Sequence, residues 1–268
     1  MRIIKAHAYG NDFLFLAEAE SGDRDAQALA RTLCERHAGM GADGLILYRL
    51  TARGAAMRLL NADGSHSEVS GNGVRCLAAI VLQGRGVRAG ADISHLEPVV
   101  VETDAGAKVL QLLGVEQDRY VFRSSMGHPT EIREIDLDLD GEHARAIALR
   151  VGNPQCVVLG PPLSEARLRR LGPVLERHPA FPEGTNVEFA VVESPNRVHI
   201  LIWERGVGPT KASGTGACAA AVAAAAFGGA SRDVAVTSPG GTQRVEWRDD
   251  GLFLTGWAAV VFRGEWIG

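Results

Sequence analysis

The sequence lacks the features that point to nucleic acid or to a membrane. Its 28 basic and 32 acidic residues give a net charge of −4 and a pI near 6.1, so it has no basic footprint for nucleic acid. The N-terminal segment MRIIKAHAYGNDF has neither the long apolar core nor the cleavage site of a signal peptide. The longest apolar run, near 217–227, is too short to span a bilayer. We therefore expect neither nucleic acid nor a membrane as a partner.

Cysteine is also scarce, and its pattern does not suggest a metal site. The four cysteines show no CxxC and no Cys/His spacing of the kind that holds zinc. Reduced thiols are the rule in the cytoplasm. We therefore expect a cytoplasmic protein without a bound metal. The cysteines are Cys34, Cys76, Cys156 and Cys218.

Apolar residues and glycine are plentiful. The 268 residues are 46% hydrophobic and include 32 glycines, and this length suggests two domains or one large domain. Helical patterns occur at Ala26–His37 and Ser164–Arg177. Two further segments, Cys76–Gln83 and Ala217–Phe227, are apolar on nearly every side, which is typical of a helix buried on all faces. A strand-rich sheet wrapped around one such helix in each half of the chain would bury both.

The predicted strands are short and separated by glycine. Two stretches do not fit the pattern of one short strand. The charged segment Glu131–Arg145 is expected to be a surface connection or a hairpin, and Leu252–Phe262 is expected to be a strand pair that turns at Gly256. The other predicted strands include RIIKAHA, DFLFLA, GLILYRL, AAMRLLNA, Val99–Glu102, Ala107–Leu113, Arg119–Arg123, Cys156–Leu159, Asn186–Val192, Val198–Glu204, Val234–Ser238 and Gln243–Trp247.

A glycine motif, S-G-[N/T]-G, occurs once in each half and precedes both apolar helices. The copies are Ser70–Gly73 and Ser213–Gly216. Serine is a favoured N-cap and glycine permits the turn into a helix, so capping explains one copy well. The repetition favours a second role. Because the first amides of a helix lack partners and the dipole is positive there, two such helix ends could flank one small anionic ligand.

The chain, taken as a whole, resembles the diaminopimelate epimerase family. The resemblance is carried, in order, by HAYGNDFLFL, HAGMGADGLI, LLNADGSHSEVSGNGVRCLA, VGNPQCVV, FPEGTNVEFA and IWERGVGPTKASGTGACAAAVA. It implies an α/β (α+β) fold of two similar halves, each a strand-rich sheet around a central helix, with the active site in the cleft between them. The implied halves are 1–117, completed by 258–268, and 118–257. The resemblance also implies that two copies can pair as a homodimer.

The same resemblance implies inversion of an α-carbon by two proton-transfer groups, with no pyridoxal phosphate, other cofactor or metal. Ser70 and Ser213 take the two proton-transfer positions, and Glu204 assists. Asparagine both donates and accepts hydrogen bonds, and the arginine fork matches a carboxylate. The implied substrate-binding residues are Asn11, Asn61, Gly71, Asn72, Asn153, Asn186, Glu204, Arg205, Gly214 and Thr215.

The chain departs from the family inside these motifs. Both family cysteines are serine here, the histidine after Asn-Pro is Gln155, and Pro209 replaces a glutamate. A serine hydroxyl normally needs an adjacent base, and Gln155 cannot act as one. Glu204 is one source of such a base, and His66 or Lys211 near a helix end is another, although a solvated Lys211 is the simpler expectation. Cys76 and Cys218 lie beyond the motif, where burial as small hydrophobes is expected.

Our main hypothesis is a diaminopimelate epimerase-like isomerase that interconverts LL- and meso-diaminopimelate in lysine biosynthesis. One alternative is another isomerase of the same fold that acts on a small carboxylic acid with one base, such as Glu204 or His66. A second is a non-catalytic amino-acid-binding protein. An engineered serine exchange that traps a ligand does not explain the changes at Gln155 and Pro209.

Overall fold

The computed structural model of the protein describes residues 1–139 and 141–268. The chain forms two compact units. Unit 1 comprises Met1–Ser124 and Gly256–Gly268, and unit 2 comprises Ser125–Thr255. Every helix within the described residues is too short or too polar to cross a lipid bilayer.

Unit 1 is built mainly from short strands around one apolar helix. Its elements are β1 (Arg2–Ala8), β2 (Asn11–Ala17), α1 (Glu18–Ser21), α2 (Ala26–Cys34), β3 (Gly44–Thr51), β4 (Gly54–Asn61), β5 (His66–Ser67), α3 (Gly71–Gly84), β6 (Val99–Glu102), β7 (Lys108–Glu116) and most of β8 (Arg119–Gly127). β1 and β2 are antiparallel, β2 and β3 parallel, β3 and β4 antiparallel, β4 and β6 parallel, and β6 and β7 antiparallel.

Unit 2 repeats this order of pairings. Its elements are β9 (Thr130–Leu139), β10 (Glu142–Val151), β11 (Asn153–Leu159), α4 (Glu165–Glu176), β12 (Asn186–Ser194), β13 (Arg197–Glu204), β14 (Gly208–Thr210), α5 (Gly214–Phe227), β15 (Asp233–Ser238), β16 (Gly241–Arg248) and the start of β17 (Gly251–Glu265). The pairs β10–β11, β11–β12, β12–β13, β13–β15 and β15–β16 are in turn antiparallel, parallel, antiparallel, parallel and antiparallel.

The strands of unit 2 separate two apolar layers. Alternate residues of a strand point to opposite faces, so Val157 and Ala190 pack with α5 while Cys156 and Phe189 pack with α4. Residues 217–224 of α5 are at most 3% exposed, which explains why this helix is apolar all round. In unit 1, α2 covers one face of the strands, and α3 contacts β1, β2, β4 and β6. The predicted central helix with strands around it is present in each unit.

Two sequence predictions about element limits need correction, and one alternative is settled. Helix α2 ends at Cys34 rather than His37, because the Glu35 carboxylate accepts the amides of the following turn. Helix α3 begins at Gly71, not after Gly73. Over 131–145 the hairpin alternative is confirmed, since β9 and β10 pair antiparallel; position 140 lies outside the described residues.

The predicted strand pair at Leu252–Phe262 is wrong, because this segment is the single strand β17. Gly256 does not turn the chain. A methyl group at Gly256 would lie 3.1 Å from the Tyr9 hydroxyl oxygen and 3.4 Å from Arg75 Cζ, and that same hydroxyl accepts the Trp257 amide at 3.1 Å. Glycine is needed here so that two large side chains can approach the strand.

Candidate active site

Both serines of the glycine motif are helix N-caps. The backbone of Ser70 and Ser213 is extended, and each hydroxyl accepts the amide three residues later, Gly73 N or Gly216 N, at 3.2 Å. The capping prediction is therefore confirmed for both helices. This bond places each hydroxyl oxygen at the positive end of a helix, where negative charge on the oxygen is stabilised.

The first and second glycines of the motif have different surroundings in unit 1, whereas both are closely packed in unit 2, where a methyl group at Gly214 would lie 3.1 Å from Leu254 Cδ2. A methyl group at Gly73 would lie 2.8 Å from Ile46 Cδ1, and one at Gly216 would lie 2.5 Å from Glu188 Oε1. The second glycine thus allows the helix to pack closely on the strand beneath it. At Gly71, by contrast, no described atom lies within 4 Å of the same position. Among the four motif glycines, Gly71 alone matches the expectation that glycine opens the backbone to a ligand.

In unit 1, three asparagines lie where strand ends meet the start of α3. β2 begins at Asn11, and β4 ends at Asn61. The Asn72 side chain, 4% exposed, donates from Nδ2 to Asn11 Oδ1 at 3.0 Å. Asn11 Nδ2 in turn donates to Asp43 Oδ2 at 2.8 Å. These contacts fix the amides in place, and each amide group has more donor and acceptor capacity than one bond uses.

Asn61 and the buried Arg75 complete this end of unit 1. Asn61 Nδ2 donates to Ser65 Oγ at 2.9 Å. Arg75 lies in α3, is 2% exposed, and donates from Nη2 to Asn72 Oδ1. A buried guanidinium beside a helix N-terminus adds positive charge where an anion is expected to bind. Sequence reasoning missed Arg75, although a charged residue inside the run GNGVRCLAAIVL was a signal.

In unit 2, β11 and β12 run parallel and begin side by side, and the antiparallel β13 ends next to them. This topology brings Asn153, Asn186, Glu204 and Arg205 to one end of the sheet. Asn153 Oδ1 accepts Gln155 Nε2 at 2.6 Å, and Asn186 Oδ1 accepts the Arg205 amide at 2.9 Å. Asn186 and Arg205 are therefore in direct contact, and Gln155, the register partner of Asn186, is hydrogen-bonded to Asn153.

The Arg205 guanidinium is exposed, and Glu204 beside it is half-buried. Arg205 Nη1 donates to the Glu183 carbonyl oxygen at 2.6 Å. Because a guanidinium carries five N–H donors, this bond holds the fork in position without exhausting it. Near the motif itself, the Ser213 hydroxyl lies 3.4 Å from the Thr215 hydroxyl.

A buried carboxyl group, Glu188, lies beneath the first turn of α5 and was not predicted. Its exposure is 0%, and neither carboxyl oxygen has a hydrogen-bond partner among the described residues. Burial, and secondarily the neighbouring Glu204, raises the pKa of Glu188 well above its usual value. The signal in the sequence was a lone acid in the strand NVEFAV.

The remaining candidates are two exposed side chains and two buried thiols. His66 is exposed on β5, with its Nε2 2.8 Å from Asp104 Oδ2, and Lys211 is exposed as expected. Cys76 and Cys218 are 0% exposed, which confirms their expected role as buried small hydrophobes, and burial raises the pKa of the Cys76 thiol. Across 1–139 and 141–268, no group of three or more His, Cys, Asp or Glu side chains is arranged to hold a metal ion.

Comparison with known proteins decides the family. The sequence profile described as Diaminopimelate epimerase matches residues 3–132 and 147–261. The chain belongs to the diaminopimelate epimerase family. It is 42% identical to the diaminopimelate epimerase of Desulforudis audaxviator, over 100% of this chain and 99% of the relative. It is 40% identical to that of Desulfitobacterium hafniense, over 98% and 97%.

Solved structures of this diaminopimelate epimerase-like fold agree at lower identity. An epimerase predicted in Pseudomonas aeruginosa has a TM-score of 0.70 at 16% identity and covers 100% of this chain and 99% of its own. A hydroxyproline epimerase from Agrobacterium vitis has a TM-score of 0.68 at 17% identity, with coverage of 98% and 90%. The family and fold predicted from the sequence are thereby confirmed, and the isomerase class follows from the family.

Proposed function

We propose that the protein is a cofactor-independent epimerase that interconverts LL- and meso-diaminopimelate in lysine biosynthesis. The observation that carries the proposal is the matched pair of helix N-caps. Ser70 and Ser213 hold the same hydrogen bond on duplicated helices in a chain of this family. Each unit also carries asparagines at strand ends, Asn11 and Asn61 in unit 1 and Asn153 and Asn186 in unit 2, which suit the ammonium and carboxylate groups of an amino acid.

In the proposed reaction, one serine removes the α-proton and the other returns a proton on the opposite face. The amides of Gly71, Asn72, Gly214 and Thr215 bind the substrate carboxylate and stabilise the charge that spreads into it from the α-carbon. Arg205 binds the distal carboxylate as a planar fork. Asn11, Asn61, Asn153 and Asn186 orient the polar groups of the substrate, and Glu204 assists Ser213.

A serine hydroxyl loses its proton less readily than a cysteine thiol, and the helix N-termini reduce that difference. A free cysteine has a pKa of about 8.5, whereas serine is normally activated by a base. Each serine oxygen accepts a backbone amide and lies at a helix N-terminus, and both features favour negative charge on that oxygen.

The test is solvent exchange followed by NMR. The protein is incubated with LL- and with meso-diaminopimelate in D2O, and the α-proton signal is followed. Deuterium uptake with interconversion supports the epimerase. Binding without uptake indicates an amino-acid-binding protein, and absence of binding indicates another small acid; either result refutes the proposal.

Matched serine variants separate catalysis from capping. Ser70→Ala and Ser213→Ala are expected to abolish exchange. Ser164→Ala is the control, because Ser164 caps α4 through the same type of bond, to Arg167 N at 3.2 Å, away from the glycine motifs. If Ser164→Ala impairs exchange as much as the other two, the loss reflects helix stability and not proton transfer.

We further propose that the enzyme works in the cytoplasm as a homodimer, with the amino acid as its partner rather than nucleic acid. The net charge of −4 and the family resemblance support this. Light scattering after size exclusion gives the mass of the particle; a mass of 28.5 kDa at micromolar concentration would contradict the dimer.

A further inference from the structure

The internal duplication supplies a comparison between the two glycine motifs. β3 and β12 occupy the same place in the order of pairings, and Gly44 and Asn186 begin the two strands. Two residues further along, Ile46 lies under Gly73 and Glu188 lies under Gly216. An apolar side chain therefore satisfies the packing beneath this type of motif. The fold does not require a carboxyl group at position 188.

Glu188 is enclosed by three elements of unit 2. Its strand β12 lies between β11 and β13, where its register partners are Val157 and Ile202. Above it, the Cβ position of Gly216 is 2.5 Å from Glu188 Oε1 and 3.2 Å from Ser213 Cβ. The Glu188 carboxyl group and the Ser213 side chain thus both lie next to the Gly216 backbone at the start of α5.

A buried carboxyl group without a partner costs free energy. A buried polar group without a hydrogen bond loses its hydration with nothing in return, and both Glu188 oxygens are unsatisfied within the described part of the chain. Such groups are rare in native proteins, and a catalytic role is one of the reasons for keeping them. The matching position in unit 1 carries isoleucine, so the cost is specific to the Ser213 half.

We propose that Glu188 is a positioning residue that holds the proton for Ser213, a role that rests on the proposed epimerase function. Glu188 starts as a neutral acid. When Ser213 protonates the carbanion, the Ser213 O–H bond breaks, the carbanion electron pair forms the new C–H bond, and the Glu188 proton passes to the Ser213 oxygen, which leaves a Glu188 carboxylate. In the reverse direction Ser213 accepts the α-proton, the C–H electron pair stays on the α-carbon and is delocalised into the substrate carboxylate, and the former hydroxyl proton returns to the Glu188 carboxylate.

The surroundings of Glu188 favour this role. Hydrogen bonds used in catalysis are often long before substrate binds and tighten in the complex. On β13, Glu204 raises the pKa of Glu188 further; on β11, Gln155 is an amide, and burial and Glu188 raise the pKa of the Cys156 thiol. On α5, the Gly216 backbone lies between Glu188 and the Ser213 side chain, and the Ser213 hydroxyl lies 3.4 Å from that of Thr215. Burial therefore favours the protonated form of Glu188.

The experiment compares Glu188→Gln with Glu188→Asp. If Glu188 holds a proton, Glu188→Gln lowers kcat about 100-fold, the lower end of the usual range for acid–base groups, changes KM less than about threefold, and removes one limb of the kcat–pH profile. Glu188→Asp keeps more activity than Glu188→Gln. A purely structural role gives the opposite order, because glutamine keeps the shape and aspartate does not.

Deuterium washout adds a test of sidedness. Glu188 serves Ser213 alone, so Glu188→Gln slows loss of the α-proton from one stereoisomer of diaminopimelate more than from the other. Equal slowing of both, or kcat within twofold of wild type with an unchanged pH profile, overturns the inference. If wild type itself exchanges no α-proton, the proposed epimerase function fails first, so the two failures are distinct.

Two further variants guard against misfolding and general damage. Glu188→Ile copies the residue found at Ile46, so it is expected to fold, and it must lose kcat as Glu188→Gln does; retained kcat overturns the inference. Glu176→Gln is the matched control. Glu176 is 9% exposed and its carboxylate accepts Trp203 Nε1 at 2.6 Å and Gly206 N at 3.1 Å. The Glu176→Gln variant is expected to be less stable than wild type and to have an unchanged kcat–pH profile.

Discussion

Replacing Glu188 with glutamine is predicted to stabilise the fold, increasingly so as the pH rises. In the folded protein, burial and Glu204 raise the pKa of Glu188, whereas in the unfolded chain a glutamate titrates near about 4.3. Between these two values the unfolded state releases a proton that the folded state keeps. The contribution of Glu188 to stability is therefore fully present below the unfolded pKa and is lost as the pH rises towards the folded pKa.

The magnitude follows from this linkage. One proton of difference changes the free energy of unfolding by about 1.4 kcal/mol per pH unit. Glutamine does not titrate. The stability of Glu188→Gln relative to wild type is therefore expected to grow by about 1.4 kcal/mol for each pH unit above about pH 5. The gain levels off once the folded pKa of Glu188 is passed.

Urea unfolding followed by tryptophan fluorescence at pH 5, 6, 7 and 8 measures this slope. Glu142→Gln is the control, because hydrogen bonds from Arg170 and Arg167 hold the pKa of Glu142 below its usual value. The stabilisation by Glu142 is present above its unfolded pKa and is lost as the pH falls through its folded pKa, so its effect is flat from pH 5 to 8. A flat difference for Glu188→Gln over the same range would refute the assignment of a buried neutral acid.

Three further predictions concern the glycine motifs and the thiols. Ser70→Ala and Ser213→Ala each remove a cap bond worth about 1 kcal/mol, and an unchanged melting temperature would contradict the caps. Gly71→Ala keeps the melting temperature but weakens substrate binding in calorimetry, whereas Gly73→Ala costs about 1–3 kcal/mol through its contact with Ile46; equal effects would disprove the division of roles. The four cysteines are at most 2% exposed, so a thiol reagent should label them in urea and not in the native protein.

The sequence predicted what depends on local pattern. The all-apolar runs in α3 and α5 have no polar face to expose, so burial on every side was the expected outcome, and serine before glycine is a strong start signal for a helix. The same local reasoning failed at Gly256. A glycine between two apolar stretches resembles a turn, and only the approach of Tyr9 and Arg75 shows that it lies within one strand.

The arrangement of the site depended on pairing order, which local pattern does not contain. β11 and β12 are parallel neighbours although α4 lies between them in the chain, and this pairing places Gln155, two residues after Asn153, beside Asn186. Glu188 was visible as an acid in an apolar strand, but that pattern also fits an acid on a solvent-facing edge. Its position under Gly216 follows only from packing of the helix on the strand.

The route of β17 has a consequence for synthesis on the ribosome. This strand starts in unit 2 and ends in unit 1, where it pairs with β1, and the Met1 amino group donates to the Trp266 carbonyl, 265 positions away. As the chain emerges, β1 must wait for a partner that is translated after all of unit 2. Unit 2 therefore has the opportunity to fold first. Unit 1 stays incomplete, with one side of β1 unpaired, until nearly the whole chain has been translated.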